Sequence, residues 1–237
     1  MQGTIDGMQG AAPVAAPSAR TLADLAKRLY AAQRWRWRWL QSLRPYICPF
    51  GDVIALVPEK SRVLDVGCGS GLFLLMLASF GRLTRGVGFD VSTDAIAAAQ
   101  AAATRLDRPE LVEFSVRSVA QGIPKGDWSV VSVIDVIHHI PPAFQAGFIT
   151  DLCAATPPGA RLVIKDMVVT PRWRALANRM HDLLMARQWV HHAGPGQVEA
   201  WVRDPEFVCV HRSRANLLWY GHWTLVFERR AATATSR

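Results

Sequence analysis

The residues best placed to do chemistry come early in this 237-residue chain, in Val63-Leu64-Asp65-Val66-Gly67-Cys68-Gly69-Ser70-Gly71. An apolar stretch runs into a loop with glycine at every second position, and the apolar run Leu72–Ala78 follows. Glycines there let the backbone turn tightly and approach a ligand closely. In a doubly wound sheet such a turn lies at the carboxyl end of the first strand, where these folds bind ligands. Two carboxylates add to the pattern. Asp65 stands two residues before Gly67, and Asp90 ends the next strand candidate 23 residues after it. A carboxylate in that second place can accept both hydroxyls of a ribose, so the set indicates a nucleoside-containing cofactor, either a nicotinamide or a sulfonium. Nicotinamide fingerprints read G-x-G-x-x-G, with the third glycine inside the helix. Here the third glycine comes one position earlier, and Leu72 occupies the later place. Asp65 also suits a cationic sulfonium and ammonium better than a pyrophosphate.

Elements that could hold such a site alternate along the middle of the chain. Strand candidates are Arg62–Val66, Gly86–Phe89, Val112–Val116, Ser129–Ile134 and a fifth beginning with Leu162–Ile164. Between them lie helix candidates Leu72–Phe80, Ser92–Thr104 with Ser92 as N-cap, and Phe144–Ala155. Phe207–His211 and Trp223–Phe227 can close the sheet as a hairpin. The expectation is an α/β fold: a doubly wound, mostly parallel seven-stranded sheet with a closing antiparallel hairpin. Upstream, Leu25, Leu29, Ala32, Trp35, Trp39 and Leu43 fall at three- and four-residue steps, predicting one helix from Leu22 that ends near Pro45. Residues 1–20 read as a flexible leader, 21–44 as a helical extension, 45–230 as the main domain with a helical insertion at 171–200, and 231–237 as a flexible tail.

Composition narrows the classes. Half of the chain is hydrophobic and 19% is charged, which excludes a disordered protein. The four cysteines form no C-x-x-C pair, so neither a disulfide framework nor a zinc spacing is present, and a reducing, cytoplasmic setting fits. The longest purely apolar run, Leu72–Ala78, is far below the ~18 residues of a membrane span. A net charge of +8 is compatible with nucleic acid, an anionic membrane or weakly selected surface charge.

Four stretches, in order, resemble the class I methyltransferases that use S-adenosylmethionine: VLDVGCGSG, GVGFDVSTDAIAAAQ, DWSVVSVIDVIHHIP and PPGARLVIKDM. The resemblance covers about residues 45–170. It implies S-adenosylmethionine as cofactor, with the loop Gly67, Cys68, Gly69 and Gly71 along its methionine portion and Asp65 organising that loop. It further implies Asp90 on the ribose, Val91 on the adenine, and Asp135, His138 and His139 beside the transferred methyl. Family members often carry an acidic residue after the third strand to meet the adenine amino group. Here Ser118 stands there, followed by Val119, so the backbone is expected to supply that contact. Methyl transfer needs alignment and sometimes a base. With an ordinary pKa of ~6.5, His138 or His139 suits the second task.

Acceptor recognition is read from less specific signals. Lys165 and Asp166 follow Leu162-Val163-Ile164 and are expected to face the same crevice, with a mutual ion pair or an exposed turn as the alternative. A helix from Pro171 to about Val190 is the candidate cap, with His181 on a stripe beside its apolar one. His191 and His192 have no companion spacing, and no metal site is expected. In Arg34-Trp35-Arg36-Trp37-Arg38-Trp39, helical spacing puts Trp35 and Trp39 on the apolar face and Arg36 within that stripe. Peripheral membrane contact through residues 34–39, a lid with Arg36 meeting a substrate anion, and plain packing are three readings of it. The Asn-Pro-Pro-aromatic run common in base methyltransferases is replaced by Asp135-Val136-Ile137-His138, which disfavours nucleic acid. The expected reaction is methyl transfer, first to oxygen, on a small hydrophobic or lipid-like acceptor. A nicotinamide oxidoreductase and a non-catalytic cofactor binder are the alternatives.

Overall fold

The computed structural model describes residues 16–168, 191–218 and 220–231. The expected helix after Pro171, with His181, lies outside them. Three helices come first: α1 (Ala19–Leu29), α2 (Trp35–Ile47) and α3 (Phe50–Ala55). Alternating units follow: β1 (Ser61–Val66), α4 (Leu72–Ser79), β2 (Leu83–Asp90), α5 (Thr93–Ala103), β3 (Val112–Val116), β4 (Val130–Ile134), α6 (Pro142–Ala155) and β5 (Arg161–Met167). Helix α7 (Pro195–Trp201) and the hairpin β6 (Phe207–Leu217) and β7 (Tyr220–Arg229) close the described chain.

The seven strands lie in the order β3-β2-β1-β4-β5-β7-β6. Strands β1 to β5 pair in parallel, and β7 runs antiparallel to both β5 and β6. Every residue of β4 is buried, because helices cover both faces of the sheet and a period-two pattern has no solvent side to mark. The order reverses between β1 and β4, which opens a crevice at their carboxyl ends.

One core cluster joins α1, α3, α4 and α5 to one face of the sheet, and a second joins α6 and α7 to the other. Helix α4 is apolar all round because the sheet covers one side and α1 and α3 cover the other. Helix α1 is amphipathic, burying Leu22, Leu25 and Leu29, each worth roughly 2 kcal/mol. The Ser18 side chain caps it by accepting from Thr21 N at 3.1 Å, and Lys27 and Arg28 in its last turn oppose the helix dipole.

The single N-terminal helix expected from Leu22 is two helices, interrupted at residues 30–34. Buried Tyr30 ends α1, and the break resets the phase of the apolar pattern. Trp35 and Trp39 are therefore 79% and 58% exposed instead of packed, and Arg36 lies at the surface, 3.4 Å from Asp94. Pro45 does not stop α2, which continues to Ile47. The hairpin is longer than its sequence signal, with a bulge between Cys209 and His211. Exposed Arg212 and Arg214 mark β6 as the sheet edge.

Candidate active site

The glycine loop is fastened before any ligand arrives. Gly67 N and Cys68 N both donate to Phe89 O, at 2.9 and 3.0 Å. Gly67 has φ +72°, and a Cβ there would stand 2.6 Å from Val136 Cγ2, so both backbone angle and space require glycine. Gly69 has φ +53°, yet a Cβ on it would meet nothing within 4 Å: its face opens into the crevice. Asp90 spans this loop and the next, accepting from Gly69 N through Oδ2 and from Ser92 N through Oδ1, each at 2.9 Å. From the N-terminal layer, Tyr30 Oη donates to Ser70 O at 2.5 Å. Burial pushes the Tyr30 phenol above its ordinary pKa, so it remains a donor. Asp65 is buried and accepts from Ser132 Oγ at 2.6 Å. Burial pushes its carboxyl up to about 7.

Beyond β4 the chain supplies charged side chains in place of backbone. Asp135 adopts φ +58°, unusual for a residue with a side chain, and its N–H donates to Lys165 O at 2.9 Å. Its carboxylate meets Lys165 Nζ at 2.5 Å and Arg44 of α2 at 3.6 Å, and Cys48 Sγ donates to it at 3.7 Å. Burial opposes both charges of the Asp135–Lys165 pair. Lys165 and Arg44 nevertheless hold Asp135 below the usual carboxylate range, while Asp135 raises Lys165. His222 of β7 has the opposite fate. Burial, with Lys165 nearby, lowers it to about 4, so as a neutral ring it donates from Nε2 to Ile47 O at 2.6 Å. These bonds latch the end of α2 to the sheet.

His138 lies in the turn after β4, and its Nδ1 meets Asp166 Oδ1 at 2.5 Å. The same carboxylate accepts from Met167 N at 2.7 Å and His138 N at 3.2 Å. Burial works against the Asp166 charge, but His138 and these bonds hold the group below the usual carboxylate range. Nδ1 of His138 is thereby assigned as the donor, so in the neutral ring Nε2 is the nitrogen that carries the lone pair. The His139 ring stands 4.2 Å away, centroid to centroid, and is exposed. Residues 191–194 back this turn: His191 N donates to His138 O at 2.8 Å, and Gln145 Nε2 reaches His191 O at 2.8 Å and Ile140 O at 3.0 Å. His138, Asp166 and His192 bring one ligand-type atom each within 4.8 Å of one another. Asp166 and His138 form a hydrogen-bonded dyad, and the His192 ring lies alongside, 5.7 Å from that of His138 between centroids.

One cavity of about 1080 Å³ joins the two ends. Asp65, Gly67, Cys68, Gly69, Asp90, Val91, Ser118, Val119, Asp135, His138 and His139 all line it. Several expected contacts do not. Gly71 turns the chain into α4 away from the cavity, where a Cβ would collide with Phe114. Lys165 and Asp166 sit buried behind the wall, where they hold Asp135 and His138 and not a substrate; they form neither a mutual pair nor an exposed turn. Arg36 is outside the lining. Ser118 commits its hydroxyl to Ala120 N in a local cap. Sequence reasoning missed Leu40, Arg44 and Ile47 of α2, which roof the cavity, and Arg117, Tyr220 and His222. Long-range packing brings them there, and the sequence carries no local signal for it.

A mostly parallel sheet of this order, with a glycine loop after β1 and a carboxylate at the end of β2, is that of an α/β protein of the methyltransferase type. The family model described as "Methyltransferase domain" matches residues 30–212, and the chain belongs to that family, among the class I S-adenosylmethionine-dependent methyltransferases. The chain is 32% identical over 126 residues to the ubiquinone biosynthesis O-methyltransferase of Paracidovorax citrulli (strain AAC00-1), covering 50% of this chain and 51% of that one. It thus spans about half the length of that relative. Among solved structures, magnesium protoporphyrin IX methyltransferase from Synechocystis PCC 6803, with bound SAH, superposes with a TM-score of 0.64 at 20% identity, covering 87% of this chain and 93% of the other. The N-methyltransferase NodS from Bradyrhizobium japonicum WM9, in complex with S-adenosyl-L-homocysteine, gives 0.60 at 19% identity, covering 89% and 98%.

Proposed function

We propose that the protein transfers a methyl group from S-adenosylmethionine to an oxygen of a small, apolar, lipid-like acceptor. The observation that carries this reading is the His138–Asp166 dyad at the wall of a cavity whose other end is the glycine loop.

The residues present fit the cofactor. Gly69 leaves room for close approach, and Val91 offers a 69% exposed apolar face on the cavity wall for an adenine. Asp90 can accept the ribose hydroxyls with the lone pairs its two backbone bonds leave over. Asp65, in its ionised form, adds negative charge beside the glycine loop, where a sulfonium or an ammonium would lie. When bound, S-adenosylmethionine supplies an activated methyl. His138 Nε2 would take the proton of the acceptor hydroxyl as the oxygen–methyl bond forms and the methyl–sulfur bond breaks, the thioether S-adenosylhomocysteine being the leaving group. Asp166 holds Nδ1–H and thereby fixes the tautomer and orientation of the ring, so it is a positioning residue.

Leu40, Ile47, Ile140, Phe144, Met167 and Tyr220 give the acceptor end an apolar wall. Oxygen as the accepting atom is supported by this proton-handling dyad and by the name of the curated relatives, ubiquinone biosynthesis O-methyltransferase. Incubating the protein with methyl-labelled S-adenosylmethionine and a panel of alkylated phenols tests the reading. Label should enter the phenols, and it should be lost in His138→Ala. Transfer to amines alone, or equal turnover by that variant, would contradict it.

A further inference from the structure

Helix α2 turns an aromatic-rich stripe outward. Trp35, Trp39, Leu43 and Tyr46 stand at i, i+4, i+8 and i+11, which is one stripe at 3.6 residues per turn, and all four are exposed. Among the described residues nothing buries this stripe, while Gln41, Ser42 and Pro45 hold the helix to the body of the protein. Arg36 and Arg38 flank the stripe on its two sides, and Arg34 precedes the helix; all three are exposed. The pair of Arg36 with Asp94 is long and solvated and ties up little of its charge. An aromatic stripe between arginines has the composition of a helix that lies in the plane of a lipid interface. The net charge of +8 gives the same sign preference for the partner surface.

Position links this stripe to the site. Leu40, Arg44 and Ile47, on another face of the same helix, line the cavity, so its roof and the outward stripe are two sides of one helix. Phe144 also lines the cavity and is 67% exposed, which places a further apolar group at an opening to solvent. Among the described residues no helix is long and apolar enough to cross a membrane, so attachment here would be peripheral.

We infer that α2 is an interfacial helix that seats the mouth of the cavity on an anionic lipid surface. A lipid-borne acceptor would then reach His138 without crossing water; that consequence rests on the methyl-transfer reading above. The seating itself does not depend on it.

The test uses the full chain and sedimentation with large vesicles of phosphatidylcholine, with and without phosphatidylglycerol. Binding is expected only with the anionic lipid, and it should weaken as salt is added. Trp35→Ser with Trp39→Ser should reduce it at least about tenfold, and Arg34→Gln with Arg38→Gln about fivefold for each charge removed. Calorimetric binding of S-adenosylhomocysteine, unchanged in both double variants, reports that the fold is intact. Absence of vesicle binding by the wild type, or binding that survives the loss of both tryptophans, overturns the proposal. So does a dimer in size-exclusion chromatography that the tryptophan variant splits, which would assign the stripe to a second copy. Vesicle binding without methyl transfer would sink the catalytic reading and leave this one standing.

Discussion

The two ends of the cavity are made from different materials. The end proposed for the cofactor is mostly backbone: loops after β1 and β2, cross-linked by Asp90 and Phe89 O. The end proposed for the acceptor is mostly side chains brought from far apart, with Arg44, Cys48 and Lys165 converging on Asp135, and His222 on Ile47 O. Backbone amides and glycines make a rigid cradle that a common nucleoside can share. Charged side chains on separate elements make a wall that can be redrawn for each acceptor.

Variants can break this division of labour, and the largest effect belongs to the acceptor end. His138→Ala should lower kcat by about 10²–10⁴ in single-turnover methyl transfer, with cofactor affinity little changed. Lys165→Met strips a buried carboxylate of its nearest partner and should lower stability by ~3–5 kcal/mol in urea unfolding. At the cofactor end, Asp90→Ala removes two charge-assisted bonds to the loops and the ribose acceptor, and should weaken S-adenosylhomocysteine binding about 100-fold. Asp65 gives that end a pH signature. Its folded value of about 7 lies above that of the unfolded chain, so between roughly pH 4 and 7 the folded state holds the extra proton. Stability of the cofactor-free protein should therefore fall as pH rises through that window and level off above it. A cationic cofactor favours the ionised form, so its affinity should rise by up to about tenfold from pH 6 to 8. Asp65→Asn should flatten both curves, measured by thermal unfolding and calorimetry. The smallest effect is expected from Tyr30→Phe, which removes the bond to Ser70 O and should cost ~1–2 kcal/mol of stability.

The same division explains what could be read from the sequence. Strand β3 has the expected bounds and the other strand cores were recognisable, because buried parallel strands are short apolar runs between turns. The cradle was legible because Asp65, Gly67 and Gly69 fall within five residues and Asp90 ends the next strand of the same pattern. Arg44 and His222 left no trace, since nothing local says that they meet β4. Lys165 and Asp166 were noticed, but their direction was misread: full burial turned them toward Asp135 and His138, not toward the cavity. The N-terminal helix was misphased because a break at 30–34 is decided by where Tyr30 anchors, on Ser70 O, and not by the apolar spacing on either side.

Parallel titration of S-adenosylhomocysteine into wild type, Asp90→Ala and His138→Ala, paired with single-turnover methyl transfer by each, tests the separation of cradle from base most directly. The expected pattern is crossed: Asp90→Ala loses affinity about 100-fold, whereas His138→Ala binds as the wild type does and loses the transfer step. Unchanged affinity in Asp90→Ala, or full transfer by His138→Ala, would contradict the account.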